Sequence, residues 1–472
     1  MKQKQTSNGK IILIVILCGL LVLIVGATVM LAYKKHLDKE RQAQISTIAT
    51  TEEEPEEEEE EESPYRDQLT TILGNGEDEV TVMFYFNGSN LESNYGSATD
   101  DISEMLVAPH NDNVNLVIQT TGTHQWQDFG IASDHDQRYI IQNQDLVLVD
   151  DSLGQEDCTS EEALLDFLLW TKENYPANRY MFVFWNHGGG AVTGFGYNEW
   201  GHPAHSLTID EMQRAFNASG MDFDMIGMDC CIMSSLEVCY ALYDSCDYMI
   251  LSEDFESSLG WSYGGWLTQL CEDPSTSTED LGTIIIDDMV QDNNDSRMGS
   301  SSTLALIDQR YIPELYETWK QFAYANEEVL LAANYSQEVT RTGRARGPVL
   351  DTTEGDRVAS ELGEYYITDM MALASSISSD YSKPLAAAIN NAIFYYNCTD
   401  DNSGLTGLSV TLPYGSRSFY LELVDVFLAA GLDKQYVSWL NAFSTVSGEV
   451  TYYDFDDFGE SWEGWDGIDT DG

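Results

Sequence analysis

Two residues of this 472-residue chain could do chemistry together: His187 and Cys231. His187 stands in Trp185-Asn186-His187-Gly188-Gly189-Gly190, and Cys231 in Asp229-Cys230-Cys231-Ile232-Met233. An imidazole that accepts a proton and a thiol that gives one up are the minimal machinery for attack on a carbonyl carbon. The glycines after His187 let a substrate backbone approach closely, and the Gly188 amide with the amide of Cys231 itself can form an oxyanion hole. Asp229 lies two residues before Cys231. In an extended segment the two side chains project to one side, so its carboxylate can line a pocket for a basic side chain. Capping of the next helix is the other use of such a residue. By spacing alone Cys230 competes with Cys231 as nucleophile. A cysteine is more often inert packing, and His-Gly-Gly after a strand is often a mere turn. The two motifs in order, on neighbouring strands, point to nucleophilic catalysis.

Each motif follows an apolar run that reads as a buried strand, 180–184 and 225–228. Residues just past strand ends meet on one edge of a parallel sheet, where open α/β folds bind ligands. Further strands are expected at 80–86, 114–119 and 248–252, with a hairpin around 139–141 and 146–149. Asn87-Gly88-Ser89-Asn90-Leu91-Glu92 reads as a turn. Helices are expected at 98–107, 159–172, 207–216 and 234–242, the second opened by a Thr159/Glu162 capping box. A helix starting at Ser234 would lower the Cys231 thiol pKa through its N-terminus. The alternation argues for an α/β fold with a largely parallel, helix-covered sheet. Beyond Trp266 the pattern is more helical, with a late strand at 407–414 available to return to the main sheet.

The formal charge is −58, and removing the ten glutamates between Glu52 and Glu62 still leaves −48. Such a surface repels nucleic acid and anionic lipid and attracts basic polypeptides or divalent cations. Plain solubility is the blander account of it. Residues 11–33 form an unbroken apolar stretch long enough to span a bilayer. It is too long for a signal-peptide core, and Met30-Leu31-Ala32 is a poor cleavage site. The expected organisation is a short basic N-terminus (1–10), a transmembrane anchor (11–33), an acidic disordered spacer (34–65), a catalytic domain (66–447) and an acidic flexible tail (448–472). Lys2, Lys4 and Lys10 before the span are balanced by Lys34, Lys35, Lys39 and Arg41 after it, so charge does not orient it. The eight cysteines form no CxxC pair, though spacing leaves room for one or two disulfides. His202 and His205 read as a loop rather than a zinc site. Glu253 reads either as an aid to substrate binding or as a solvated loop acid.

The chain resembles the clostripain-type cysteine peptidases, relatives of the caspases, legumains and gingipains. Asn186-His187-Gly188-Gly189 matches the family's histidine segment. Asp229-Cys230-Cys231-Ile232-Met233 matches its Asp-x-Cys-Leu-Met segment, with Ile for Leu and a thiol at the usual small residue. Gly88-Ser89-Asn90-Leu91-Glu92, Ser252-Glu253 with Gly260-Trp261-Ser262-Tyr263, and Gly407 to Tyr414 carry the likeness across roughly 66–447. The resemblance implies a caspase-like sandwich with a His187/Cys231 dyad, and it favours Cys231 over Cys230. It also implies cleavage after Arg or Lys, with Asp229 as reader of the basic residue. It places the catalytic domain outside a cell membrane and leaves calcium open as a ligand, since some relatives need it; the chemistry itself needs no cofactor. Members often mature by a cut between the two motifs. Here Arg214 is the first basic residue after His187 and falls in an expected helix. Arg341, Arg344 and Arg346 are the better processing sites. The rival reading is a catalytically silent surface module that binds basic polypeptides, and another keeps the chemistry with a different preference.

Overall fold

The computed structural model describes residues 65–200, 205–296, 302–331 and 366–445, all within one compact unit, Tyr65–Gly472. The expected anchor at 11–33, the spacer up to Pro64 and the tail at 448–472 lie outside the described residues. Among the described residues no helix is long and apolar enough to cross a membrane.

The described strands are β1 (Val80–Asn87), β2 (Val114–Thr121), β3 (Gln137–Gln142), β4 (Asp145–Asp150), β5 (Arg179–Trp185), β6 (Phe223–Asp229), β7 (Cys246–Leu251), β8 (Thr303–Asp308), β9 (Ile367–Asp369), β10 (Ile393–Cys398) and β11 (Ser409–Thr411). Nine form one sheet in the order β10-β8-β7-β6-β5-β1-β2-β3-β4. The central strands β7, β6, β5, β1 and β2 run parallel, while β3–β4 and β8–β10 add antiparallel margins. Parallel strands covered on both faces read as continuous apolar runs. β1 and β6 are buried at every position. Along β1, Val80, Val82, Phe84 and Phe86 enter one core and Met83 and Tyr85 the other. The first core packs under helices Ser97–Met105, Tyr263–Glu272 and Thr278–Asp295. The opposite face carries Glu161–Asn174, Ile209–Ser219, Leu236–Leu242 and Ile312–Ala325. The result is a three-layer sandwich with a mixed, centrally parallel sheet.

Several local expectations change. The segment after β1 is a helix, Ser89–Tyr95, separated from Ser97–Met105 by Gly96 at φ +74°. Helix Glu161–Asn174 is capped by Ser160, whose Oγ accepts from the Ala163 amide at 3.2 Å. Thr159 instead donates to Asp157 at 2.8 Å. The capping box belongs to Thr208 and Glu211 at the next helix. The late strand does not return to the main sheet, because β10 occupies the margin beside β8; β11 pairs with β9 instead. The seven described cysteines are all unbridged.

Candidate active site

β1, β5 and β6 end level with one another, since Phe86 lies opposite Trp185 and Trp185 opposite Asp229. β1 has β2 on one side and β5 on the other, so the strand order reverses there and opens a crevice at the carboxyl ends. The His187 and Cys231 segments touch across that edge. A Cβ on Gly188 would overlap the Cys231 carbonyl oxygen and stand 3.1 Å from Cys230 Cβ. A residue without a side chain is what lets the segments close. Behind Cys231 the chain turns sharply through Ile232 at φ +52°. A buried β-branched residue in the left-handed region is strained, and such strain collects at functional sites.

His187 is held from the end of β1. Its Nε2 lies 2.8 Å from Asn90 Oδ1, and its ring stacks on Tyr197 with centroids 5.8 Å apart. The Asn90 amide donates to the Tyr197 hydroxyl at 3.2 Å. Asn186 donates to the Asn87 carbonyl and to Ser89 Oγ, tying the two segments together. An acceptor at Nε2 fixes the imidazole tautomer and orientation. Sequence reading gave Asn90 and Tyr197 no role. The left-handed backbone of Ser89, φ +42°, which aims Asn90, left no mark in the residue types.

Cys231 is half-buried, and its Sγ accepts from the Glu256 amide at 3.3 Å. Burial first, then the Glu256 carboxylate, pushes this thiol up to about 12. The expected lowering by a helix N-terminus does not occur, because the helix begins only at Leu236, capped by Ser235. Cys230 is 1% exposed. It faces the Phe184 carbonyl oxygen at 3.8 Å, and burial raises its thiol well above the ordinary value. Its environment is that of a packing residue.

Asp229 does not cap the following helix. Its carboxylate accepts from the Tyr263 hydroxyl at 2.7 Å and from the Trp261 amide at 3.2 Å. Burial raises it, while bonds from Tyr263, Glu256 and Trp261 oppose the rise. Asp101, from helix Ser97–Met105, accepts from Trp185 Nε1 at 2.6 Å. Burial, then the Asp229 charge, raises it well above the usual carboxylate range. Glu256 is raised in the same way by burial and by Asp229. Glu253 is not a solvated loop acid. It is 1% exposed and accepts from the Gly407 amide at 2.7 Å.

The Gly188–Phe195 bridge is made by Gly189 donating to Gly194 (2.8 Å) and Gly196 donating to His187 (2.9 Å). The Gly188 amide stands outside that ladder, and the Cys231 amide makes none of the described loop hydrogen bonds. His205 lies 3.5 Å from Glu211, whereas His202 is outside the described residues. Among the described residues no group of three or more His, Cys, Asp or Glu side chains is placed to hold a metal. Arg214 lies inside helix Ile209–Ser219 and pairs with Glu161 and Asp210, both at 2.6 Å.

An imidazole, a thiol and buried acids at the carboxyl edge of a helix-covered parallel sheet are the parts of a cysteine-type peptidase. The chain belongs to the clostripain family, peptidase family C11, whose profile matches residues 84–462. Its fold is that of solved C11 proteases. A secreted C11 cysteine protease from Bacteroides thetaiotaomicron, solved with an irreversible peptide inhibitor, is 18% identical with a TM-score of 0.55; the match covers 75% of this chain and all of that one. An inactive zymogen C11 protease from Parabacteroides distasonis is 17% identical with a TM-score of 0.56, over 78% of this chain and 98% of that one. No curated protein matches the sequence significantly.

Proposed function

We propose that this cysteine peptidase cleaves peptide bonds after Arg or Lys through His187 and Cys231, with Asp229 reading the basic side chain. The observation that carries the reading is the contact of Gly188 with the Cys231 backbone, beside buried carboxylates. With Nε2 held by Asn90, Nδ1 is the nitrogen that takes the thiol proton. The thiolate attacks the scissile carbonyl carbon, and the Gly188 and Cys231 amides receive the developing oxyanion. The imidazolium then protonates the leaving amine. Water, deprotonated by His187, hydrolyses the acyl-enzyme. A thiol pushed up to about 12 is protonated at neutral pH, so the base and the positive charge it acquires are needed in every turnover. No step uses a metal. Any calcium effect acts through the acidic surface, and rates in EGTA against added calcium measure it.

The apolar stretch 11–33 supports a single-pass anchor, and the likeness to a secreted C11 protease supports a catalytic unit outside the cell. Membrane fractionation and protease shaving of intact cells test this placement. The catalytic reading is tested on the purified chain with fluorogenic peptides ending in Arg, Lys, Asp or Leu. Cleavage after Arg and Lys, lost in Cys231→Ala and kept in Cys230→Ala, is expected. Activity that survives Cys231→Ala removes the dyad, and cleavage after Asp or Leu removes the role of Asp229.

A further inference from the structure

We propose that Glu253 and Asp369 share one proton, held by Glu253, and that this proton fastens the loop behind Cys231, so that Glu253 is a positioning residue for the nucleophile and alkali releases it. The inference rests on Cys231 as the nucleophile proposed above and adds a control on its setting. The loop 252–256 follows β7 and backs the Cys231 segment. The Asp254 carbonyl accepts from the Ile232 amide at 2.9 Å and the Ser252 carbonyl from the Ser234 amide at 2.8 Å. The Glu256 amide reaches Cys231 Sγ at 3.3 Å. Glu253, inside this loop, is tied to the segment that leads into β11, where its Oε2 accepts from the Gly407 amide at 2.7 Å. One residue earlier, the amide and the hydroxyl of Thr406 donate to Asp369 Oδ2, both at 2.7 Å. Consecutive residues thus hold the two carboxyl groups side by side, and the two are in hydrogen-bond contact. Asp369 is the last residue of β9, so the pair joins the nucleophile loop to the β9–β11 sheet.

The hydrogen bonds decide which acid holds the proton. Asp369 accepts from three donors, the third being the Ala372 amide on Oδ1 at 2.6 Å, and each favours a carboxylate. Glu253 Oε1 is shut off from solvent with no N–H or neutral O–H reaching it. A proton on that oxygen, donated to Asp369, gives every oxygen of the pair a partner. Glu253 is 1% exposed and Asp369 0%, and neither enters a described ion pair. Two bare charges in contact there would be uncompensated. The titratable groups around the pair bring no positive charge. Tyr396 of β10 donates to the Leu405 carbonyl at 3.0 Å, with Cys398 beside it, and Asp254 accepts from Asn402 at 3.2 Å. Burial, then the Asp369 charge, raises the Glu253 carboxyl well above its ordinary value. Burial also raises Asp369, against the bonds from Ala372 and Thr406.

The unfolded chain loses this proton near the ordinary value of 4.5 and the folded chain keeps it to higher pH. The stability it contributes is therefore lost as pH rises through the folded value. The test measures urea unfolding of the full chain and of Glu253→Gln from pH 5 to 10. A glutamine accepts from Gly407 and donates to Asp369 at every pH, so its bond does not titrate. The wild-type unfolding constant is expected to rise with pH about tenfold per unit more steeply than the variant's, the slope of one proton, until the two slopes converge. Glu237 titrates alike in both proteins and cancels. Asp369→Asn removes the charge to which Glu253 donates, so it is expected to flatten the slope too, and it decides the matter if Glu253→Gln does not fold. Equal slopes in the wild type and a folded variant overturn the shared proton. Beyond the pH of convergence, wild-type kcat is expected to fall about tenfold per pH unit relative to Glu253→Gln, with KM kept, as the loop lets go of Cys231. A kcat that falls alike in both overturns the positioning role. Activity that survives Cys231→Ala overturns the functional reading, and the positioning role with it, while the unfolding slopes still decide the shared proton.

Discussion

Asn90→Ala isolates what holds the histidine. The substitution removes the acceptor 2.8 Å from His187 Nε2 but keeps the backbone amide that donates to Tyr197 and the helix that begins at Ser89. The bond matters most when the imidazole is charged, as it is once the thiol proton has moved. A hydrogen bond to a charged group contributes about 1.5–3 kcal/mol, so kcat/KM should fall roughly ten- to 150-fold. Because the lost acceptor favoured the imidazolium, the acidic limb of the pH profile, where the free base becomes protonated, should also move to lower pH. The sign follows from the charge: the cation becomes harder to keep, so its proton leaves earlier as pH rises. The assay is kcat/KM from pH 5 to 10 on an Arg peptide, with thermal unfolding as the control. Asn90→Gln should recover part of the loss. A rate within twofold of wild type and an unmoved acidic limb would refute Asn90 as the positioning residue. So would a loss accounted for by unfolding alone.

Gly188→Ala drives a methyl into the Cys231 carbonyl oxygen. It should cost about 1–3 kcal/mol by urea unfolding and on the order of a hundredfold in kcat as the two segments separate; an unchanged kcat would show that their contact is incidental. Glu237 is buried with its carboxyl raised from 4.5 to about 7 by burial, against bonds from Thr411 and Tyr436. The native state then holds the proton after the unfolded state has lost it, so stability should fall by up to about 3 kcal/mol as pH rises from about 4.5 to about 7. Glu237→Gln should flatten that slope, and an equal slope in both proteins rules the group out. Arg179, fully buried, holds Asp224 together with the carbonyls of Pro274 (2.7 Å) and Thr276 (2.9 Å). Arg179→Ala should cost about 3–5 kcal/mol in urea unfolding, and a cost under about 1 kcal/mol would mean the network contributes little.

The central strands were legible because parallel strands buried on both faces leave unbroken apolar runs, as in Val80–Asn87 and Phe223–Asp229. The two motifs were legible because each sits directly past such a run. What surrounds them was not. Asn90, Asp101 and Glu256 come from segments that only the strand order brings together, and nothing local in the sequence says that β1 lies beside β5. The thiol was read with the wrong sign for a related reason. The residue types after Cys231 allow a helix at once, but Ile232 turns the chain through φ +52° and delays the helix to Leu236, while Glu256 arrives from a distant loop. Short late strands such as β9 and β10 follow or adjoin helices without a turn signal, so periodicity alone did not separate them.

The acids beside Cys231 also bear on how long the enzyme lasts. Peroxide and disulfides react with thiolates far faster than with thiols. A half-buried thiol whose pKa is pushed up to about 12 is therefore a poor target for oxidants while no peptide is bound. On the specificity proposed above, a basic side chain entering beside Asp229 and Glu256 offsets the charges that favour the protonated form. On that proposal, reactivity rises when a substrate carbonyl is there to consume it, and an idle enzyme keeps its sulfur reduced.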